Sequence, residues 1–199
     1  MKRVGITGVI GSGKSTFCRL ISAYSGAAVY DSDRRAKELM VESKQVLEGV
    51  TALFGQQAYR GAKLDREFVA RQIFADQKLR HRLEEVVHPA VIADFERWCD
   101  HQSSDYVIIE SALLLECDIQ NHIDVKIVVD APKPLCVERA MRRDERSRAE
   151  IEARMAGQMS AEQMRLLADY VVENGEEALL FEEAAKADEF IKSMPECHR

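Results

Sequence analysis

Short, nearly uninterrupted apolar runs recur along the chain at Val4-Gly5-Ile6-Thr7, Ala27-Ala28-Val29-Tyr30, Tyr106-Val107-Ile108-Ile109, Val125-Lys126-Ile127-Val128-Val129 and Tyr170-Val171-Val172. Runs of this length without regular polar alternation predict strands buried on both faces, as in a parallel sheet. Between the first two the spacing turns helical, with Phe17, Leu20, Ile21 and Tyr24 over residues 15–25. Residues 34–100 show no strong strand. Helical patterns fill them instead: Val46, Val50, Leu53 and Phe54; Phe68, Val69, Ile73 and Phe74; Leu79, Leu83, Val86 and Val87; Val91, Ile92, Phe95 and Cys99. Gly55 and Gly61 bracket a turn there, Asp65 is placed to cap a helix beginning at Arg66, and Pro89 is placed in the first turn of the last helix.

Further helices are expected from about Lys133, Arg148 and Ala161, the last two opened by the capping-box pairs Ser147 with Glu150 and Ser160 with Gln163. A final acidic amphipathic helix is expected over about 176–191. This alternation predicts an α/β three-layer fold: a five-stranded parallel sheet, helices on both faces and right-handed crossovers. The core is expected to span 1–33 and 101–199, interrupted by a helical insertion at 34–100.

Composition narrows the class. With 199 residues, 46% of them hydrophobic and 31% charged, the chain supports one sizeable core and is too apolar for a disordered segment. A net charge of −6 argues against a surface that gathers nucleic acid. The 5 cysteines include no C-x-x-C pair, which predicts reduced, mostly buried thiols and no zinc site, Cys197-His198 included. No apolar run approaches the roughly 18 residues of a membrane span, and no leader pattern is seen. A cytoplasmic protein is expected, with neither nucleic acid nor membrane as partner.

Gly8-Val9-Ile10-Gly11-Ser12-Gly13-Lys14-Ser15 satisfies G-x-x-x-x-G-K-[ST] at every position, between a predicted strand and a predicted helix. Such a loop turns backbone N–H groups toward phosphate oxygens, and the helix N-terminus adds positive partial charge. Gly11, Ser12, Gly13, Lys14, Ser15 and Thr16 are therefore the candidate nucleotide-binding residues, with Lys14 directed at the β and γ phosphates and Ser15 at Mg²⁺. A dinucleotide fingerprint would need a third glycine where Thr16 stands.

Ligands of parallel α/β sheets bind at the carboxyl ends of the strands, where Asp31 and Asp33 follow the second strand and Glu110 ends the third. Asp33 is a candidate to take a proton from an attacking hydroxyl, and Asp31 a candidate for acceptor contact. Capping of the next helix is the competing role for both. Glu110 is a candidate for the Mg²⁺ shell, and His88 for acceptor contact or a helix start. Between Arg139 and Arg165 seven arginines interleave with acids, which suits either a solvated face or a closing lid at about 139–165. Arg139 and Arg143, one helical turn apart, are the first candidates to clamp a phosphoryl group. Mutual repulsion of the lid arginines until phosphate joins them would keep the lid open.

Together these residues resemble the dephospho-coenzyme A kinase family from Gly5 to about Gly175. The match rests on GITGVIGSGKST, Asp31-Ser32-Asp33, Leu64-Asp65-Arg66 with Ile73-Phe74, His88-Pro89, Leu113-Leu114 with Glu116, Val129-Asp130, Arg142-Arg143-Asp144, Gln158, Ala168-Asp169 and Asn174. The resemblance implies a P-loop core like that of nucleoside monophosphate kinases, a helical acceptor domain and a lid. It also implies ATP as donor and dephospho-coenzyme A as acceptor, phosphorylated at the ribose 3′-hydroxyl, with Asp33 as catalytic acid. Val9, Ala112 and Met164 depart from residues usual in the family, namely Gly, Pro and a basic residue, and the last bears on one lid cation. Other readings of the loop are another small-acceptor P-loop kinase or a nucleotide-dependent switch, although no N-K-x-D guanine signature occurs.

Overall fold

The computed structural model describes residues 1–175 and 179–195, and it divides into two compact units, Met1–Asp31 with Gln102–Arg199, and Ser32–His101. Among the described residues no helix is long and apolar enough to cross a membrane.

The first unit begins with β1 (Lys2–Thr7), α1 (Lys14–Ser25) and β2 (Ala28–Asp31). The second unit follows without a break: α2 (Ser32–Glu42), α3 (Lys44–Phe54), β3 (Tyr59–Arg60), β4 (Lys63–Leu64), α4 (Arg66–Ala75) and α5 (Gln77–Cys99). The chain then returns to the first unit with β5 (Tyr106–Glu110), β6 (Val125–Asp130) and α6 (Lys133–Asp144). It ends with α7 (Arg148–Ala156), α8 (Ala161–Leu167), β7 (Tyr170–Glu173) and α9 (Leu180–Ser193).

The five strands of the first unit pair in parallel in the order β2-β5-β1-β6-β7. Their apolar residues face helices on both sides. On one face Val4, Ile6, Ile108, Ile127 and Val129 meet Phe17 and Ile21 of α1 and Ala184, Ala187 and Ile191 of α9, all fully buried. On the other, Gly5 leaves room for Leu114, whose Cδ2 would lie 2.5 Å from a Cβ at that position. The capping boxes at Ser147 and Ser160 are both formed, and Asp65 accepts from the Phe68 amide at 3.0 Å.

Two expectations for the second unit need correction. Residues 34–100 contain a small antiparallel hairpin, β3 with β4, turned by Gly61 at φ +63°. Two-residue strands carry no alternation for a sequence pattern to reveal. Pro89 does not open a helix but lies inside the single 23-residue helix α5. Val87, Val91, Phe95 and Cys99 are buried at successive steps of four, so the apolar face continues in phase across the proline. That burial outweighs the roughly 3 kcal/mol an internal proline costs. Arg35 binds Asp94 through Nε and Nη2, both at 3.0 Å, and so ties α2 to α5.

The last helix is described over Leu180–Ser193; the start expected near Glu176 lies outside the described residues, as does the Cys197-His198 pair. Asp188 on α9 is buried, accepting from the Tyr106 hydroxyl at 2.9 Å and from Lys192 at 2.8 Å. Lys2 donates to the Ile191 carbonyl at 2.8 Å, a cation at the negative end of the helix. Asp188→Ala should lower the free energy of unfolding in urea by about 1–3 kcal/mol, because the Tyr106 hydroxyl loses its buried acceptor. Tyr106→Phe, which leaves Asp188 with Lys192, should cost less, and equal midpoints for Asp188→Ala and wild type would remove this contact from the account.

Candidate active site

β1 is central in the sheet, and the loop that leaves its carboxyl end turns on glycines. Gly11 and Gly13 sit at φ +82° and +94°, a region that strains other residues. A Cβ at Gly11 would lie 2.0 Å from the Cys136 carbonyl oxygen, and one at Gly13 2.1 Å from Asn174 Nδ2. Both glycines are fixed by conformation and by close approach together. The Ser12 amide donates to the Val9 carbonyl at 3.0 Å, and Asn174 Nδ2 donates to the Ser12 carbonyl at 2.6 Å. Lys14, buried, then opens α1.

The loop lines a cleft of about 420 Å³ together with Lys14, Ser15 and Thr16. Arg19, Arg139, Arg142 and Arg143 line it too, so five cations share one small volume. Arg139 Nη1 donates to the Asn174 carbonyl at 3.1 Å, and Arg19 donates to the Ser15 carbonyl and the Thr16 hydroxyl, both at 3.3 Å. Such an arrangement is suited to a polyanion.

The Ser15 hydroxyl donates to the Glu110 carboxylate at the end of β5, and Asp31 stands opposite Glu110 in the β2–β5 register. Burial pushes the Cys18 thiol well above its ordinary value; Glu110 and Asp31 push it the same way and Lys14 opposes them. A hydroxyl beside a carboxylate is a donor set of hard oxygens that fits Mg²⁺.

Of the residues expected from sequence, Gly11, Gly13, Lys14, Ser15, Thr16, Arg139 and Arg143 are gathered at this cleft, with buried Ser12 in the loop and Glu110 on Ser15. Asp33, in the first turn of α2, and His88, half-buried on α5, belong to the second unit. Arg19 carries no sequence signal for the site, Arg142 stands among the lid-segment arginines without being a first candidate, and Gln158 and Asn174 enter only through the family resemblance. The contacts of Gln158 with Ile10 and of Asn174 with Ser12 span 148 and 162 residues, which local patterns do not register.

The remaining lid arginines take the solvated role. Arg146 pairs with Glu150, Arg148 with Glu152, and Arg165 with Asp130 and Glu173. Asp144 accepts from Arg143 at 2.6 and 3.1 Å and from Arg154 at 2.8 Å. Carboxylates thus accompany Arg143, Arg146, Arg148, Arg154 and Arg165 within the segment where mutual repulsion was expected. Met164, at a position where the family usually has a cation, is buried in α8, so this site holds packing rather than charge.

A parallel sheet whose central strand runs through a G-x-x-x-x-G-K-[ST] loop into a helix makes this an α/β P-loop protein of the small-kinase kind. The family model described as CoaE, dephospho-CoA kinase, matches residues 2–179, and the chain belongs to that family. A dephospho-CoA kinase of Chlorobium chlorochromatii is 38% identical over 179 residues, covering 86% of this chain and 84% of that one. The crystal structure of TT1252 from Thermus thermophilus is similar with a TM-score of 0.83 at 33% identity, covering 98% of each chain. Dephospho-CoA kinase from Campylobacter jejuni superposes with a TM-score of 0.68 at 26% identity, covering 96% of this chain and 98% of its own.

Hydrogen bonds from Arg143 and Arg154 hold the Asp144 carboxyl below its ordinary range. A depressed carboxyl stabilises the fold above its unfolded value, near 4, and loses that contribution as pH falls through the folded value. Wild type should therefore exceed Asp144→Asn in stability at pH 7, with the gap narrowing from about pH 5 toward pH 3. A gap unchanged across that range in urea titrations would show that the contact does not act through charge.

Proposed function

We propose that the protein transfers the γ-phosphoryl group of ATP to the ribose 3′-hydroxyl of dephospho-coenzyme A, yielding coenzyme A and ADP. The observation that carries this reading is the cleft in which Lys14 and the arginines of α1 and α6 converge on the phosphate loop, in a chain of this family. Loop amides and Lys14 bind the donor's β and γ phosphates, and Arg139 and Arg143 meet the charge that spreads over the transferring group. Ser15, with Glu110 against it, would hold Mg²⁺. The bound ion would neutralise charge between the donor phosphates.

Asp33 follows β2 by two residues and has the chemistry of the proton acceptor: it orients the 3′-hydroxyl and takes its proton as the new P–O bond forms and ADP departs. The helical insertion, 34–100, is assigned to the acceptor, with His88 and Asp31 as contacts. The segment at about 139–165 is assigned as the lid, whose closure excludes water as a competing acceptor. The unbridged thiols of Cys18, Cys99, Cys117 and Cys136 fit a reducing cytoplasm.

A coupled ADP-release assay with dephospho-coenzyme A, nucleoside monophosphates and simple sugars as acceptors tests the substrate; turnover stimulated equally by all three would overturn it. In the same assay Lys14→Ala should lose at least about 10²-fold in turnover, through loss of a preorganised cation. Asp33→Asn should lose about 10²–10⁴-fold with little change in ATP affinity. If ATP binding collapses while the rate per bound ATP stays normal, Asp33 belongs to the metal shell or the scaffold instead.

The lid assignment separates two arginines of like charge. Arg143→Ala should reduce acceptor phosphorylation more than background ATP hydrolysis, whereas Arg148→Ala, whose side chain is 59% exposed beside Glu152, should do little. Equal losses would mean a general positive field and no clamp.

A further inference from the structure

Between α7 and α8 the half-buried Gln158 uses both ends of its carboxamide on different loops. Its Oε1 accepts from the Ile10 amide at 3.0 Å, and its Nε2 donates to the Ala112 carbonyl at 3.4 Å. The Val9 carbonyl and the Ile10 amide belong to one peptide plane. That plane is held at both ends: Val9 accepts from the Ser12 amide at 3.0 Å while Ile10 donates to Gln158. Ala112 lies two residues beyond Glu110, the partner of Ser15. The Ile10 side chain packs on the cluster of Val137, Ala140 and Ile151 between α6 and α7. The Gln158 side chain therefore joins the phosphate loop to the segment after β5, while the Ile10 side chain seats the same loop on α6 and α7.

We propose that Gln158 is a positioning residue of the phosphate loop. By fixing the Val9–Ile10 peptide plane, it holds the loop in its anion-binding conformation. A loop ordered in advance spends none of the donor's binding energy on ordering itself. Without Gln158 the plane regains its freedom, and the donor must supply that order on binding. The chemical groups, Lys14 among them, stay in place. Donor affinity should therefore fall further than the rate of the bound complex. The proposal rests on the reading of the loop as the donor's phosphate site.

Gln158→Met keeps the length of the side chain and removes both hydrogen bonds. Three measurements on the full chain test it: amide exchange at Ile10 without ligand, ADP titration by calorimetry, and steady-state kinetics in ATP. The expected result is exchange at Ile10 faster by about tenfold or more, ADP affinity weaker by about tenfold, and a raised KM for ATP with kcat within about threefold. Glu116→Ala is the control, since Glu116 accepts from the Met159 amide at 3.0 Å and its loss loosens the same segment while sparing Gln158. It should change ADP affinity by less than about twofold. Unchanged ADP affinity in a folded Gln158→Met protein, or equal losses from both variants, would overturn the proposal. A wild-type protein that binds ADP but phosphorylates no dephospho-coenzyme A overturns the acceptor assignment alone, because exchange and titration still decide the role of Gln158.

Discussion

Positive charge gathered, among the described residues, without a carboxylate partner for every cation is the condition on which the nucleotide end of this molecule depends. The chain as a whole carries a net −6, yet Lys14, Arg19, Arg139, Arg142 and Arg143 line a single cleft of about 420 Å³. Like charges brought so close repel, and acids placed among them would relieve the repulsion but cancel the field that a phosphate chain needs. Part of the solution is dipoles: the Asn174 and Ser15 carbonyls and the Thr16 hydroxyl accept from Arg139 and Arg19. A neutral acceptor fixes a guanidinium in place and leaves its full charge available.

The scaffold answers to the same requirement. Backbone amides face an anion only if the chain takes left-handed turns at Gly11 and Gly13, and those turns bring the loop against the Cys136 carbonyl and the Asn174 side chain. The loop is thereby packed between the segments that follow β6 and β7, while β5 delivers Glu110 to Ser15 from the other side of β1. This is why the chemistry sits where the strand order diverges from a central strand. Buried, apolar strands on both sides make that end of the sheet stiff enough to hold the amides in position.

Sequence made the sheet legible because its strands are buried on both faces, so that Ile108 and Ile109, neighbours in β5 on opposite sides, are both fully buried. The loop was legible for a different reason: its glycines and Lys14 serve a geometry that leaves a fixed spacing. Pro89 misled because a local rule about helix starts met a longer apolar face that overrode it. Asn174 and Gln158 carried no local signal of their roles. Each acts on a loop far away in sequence, and only the folding of the sheet brings an amide side chain to the atom it holds.

Two of the arginines that line the cleft, Arg139 and Arg143, differ in the partners that hold them. Arg139 has a neutral partner and a helix that already directs it into the cleft, so an arriving anion meets no competing carboxylate through that bond. Arg143 is also in the cleft, but its two hydrogen bonds go to Asp144, which raises its affinity for its proton and must be matched or shared by any phosphate it engages. Exchange of one anion for another at Arg143 would in turn leave Asp144 to Arg154 of α7. Asp144 thus joins Arg143 of the cleft to Arg154 of α7. A cation held by a carbonyl supplies a fixed field, and a cation held by a carboxylate supplies a switchable one; this cleft contains both.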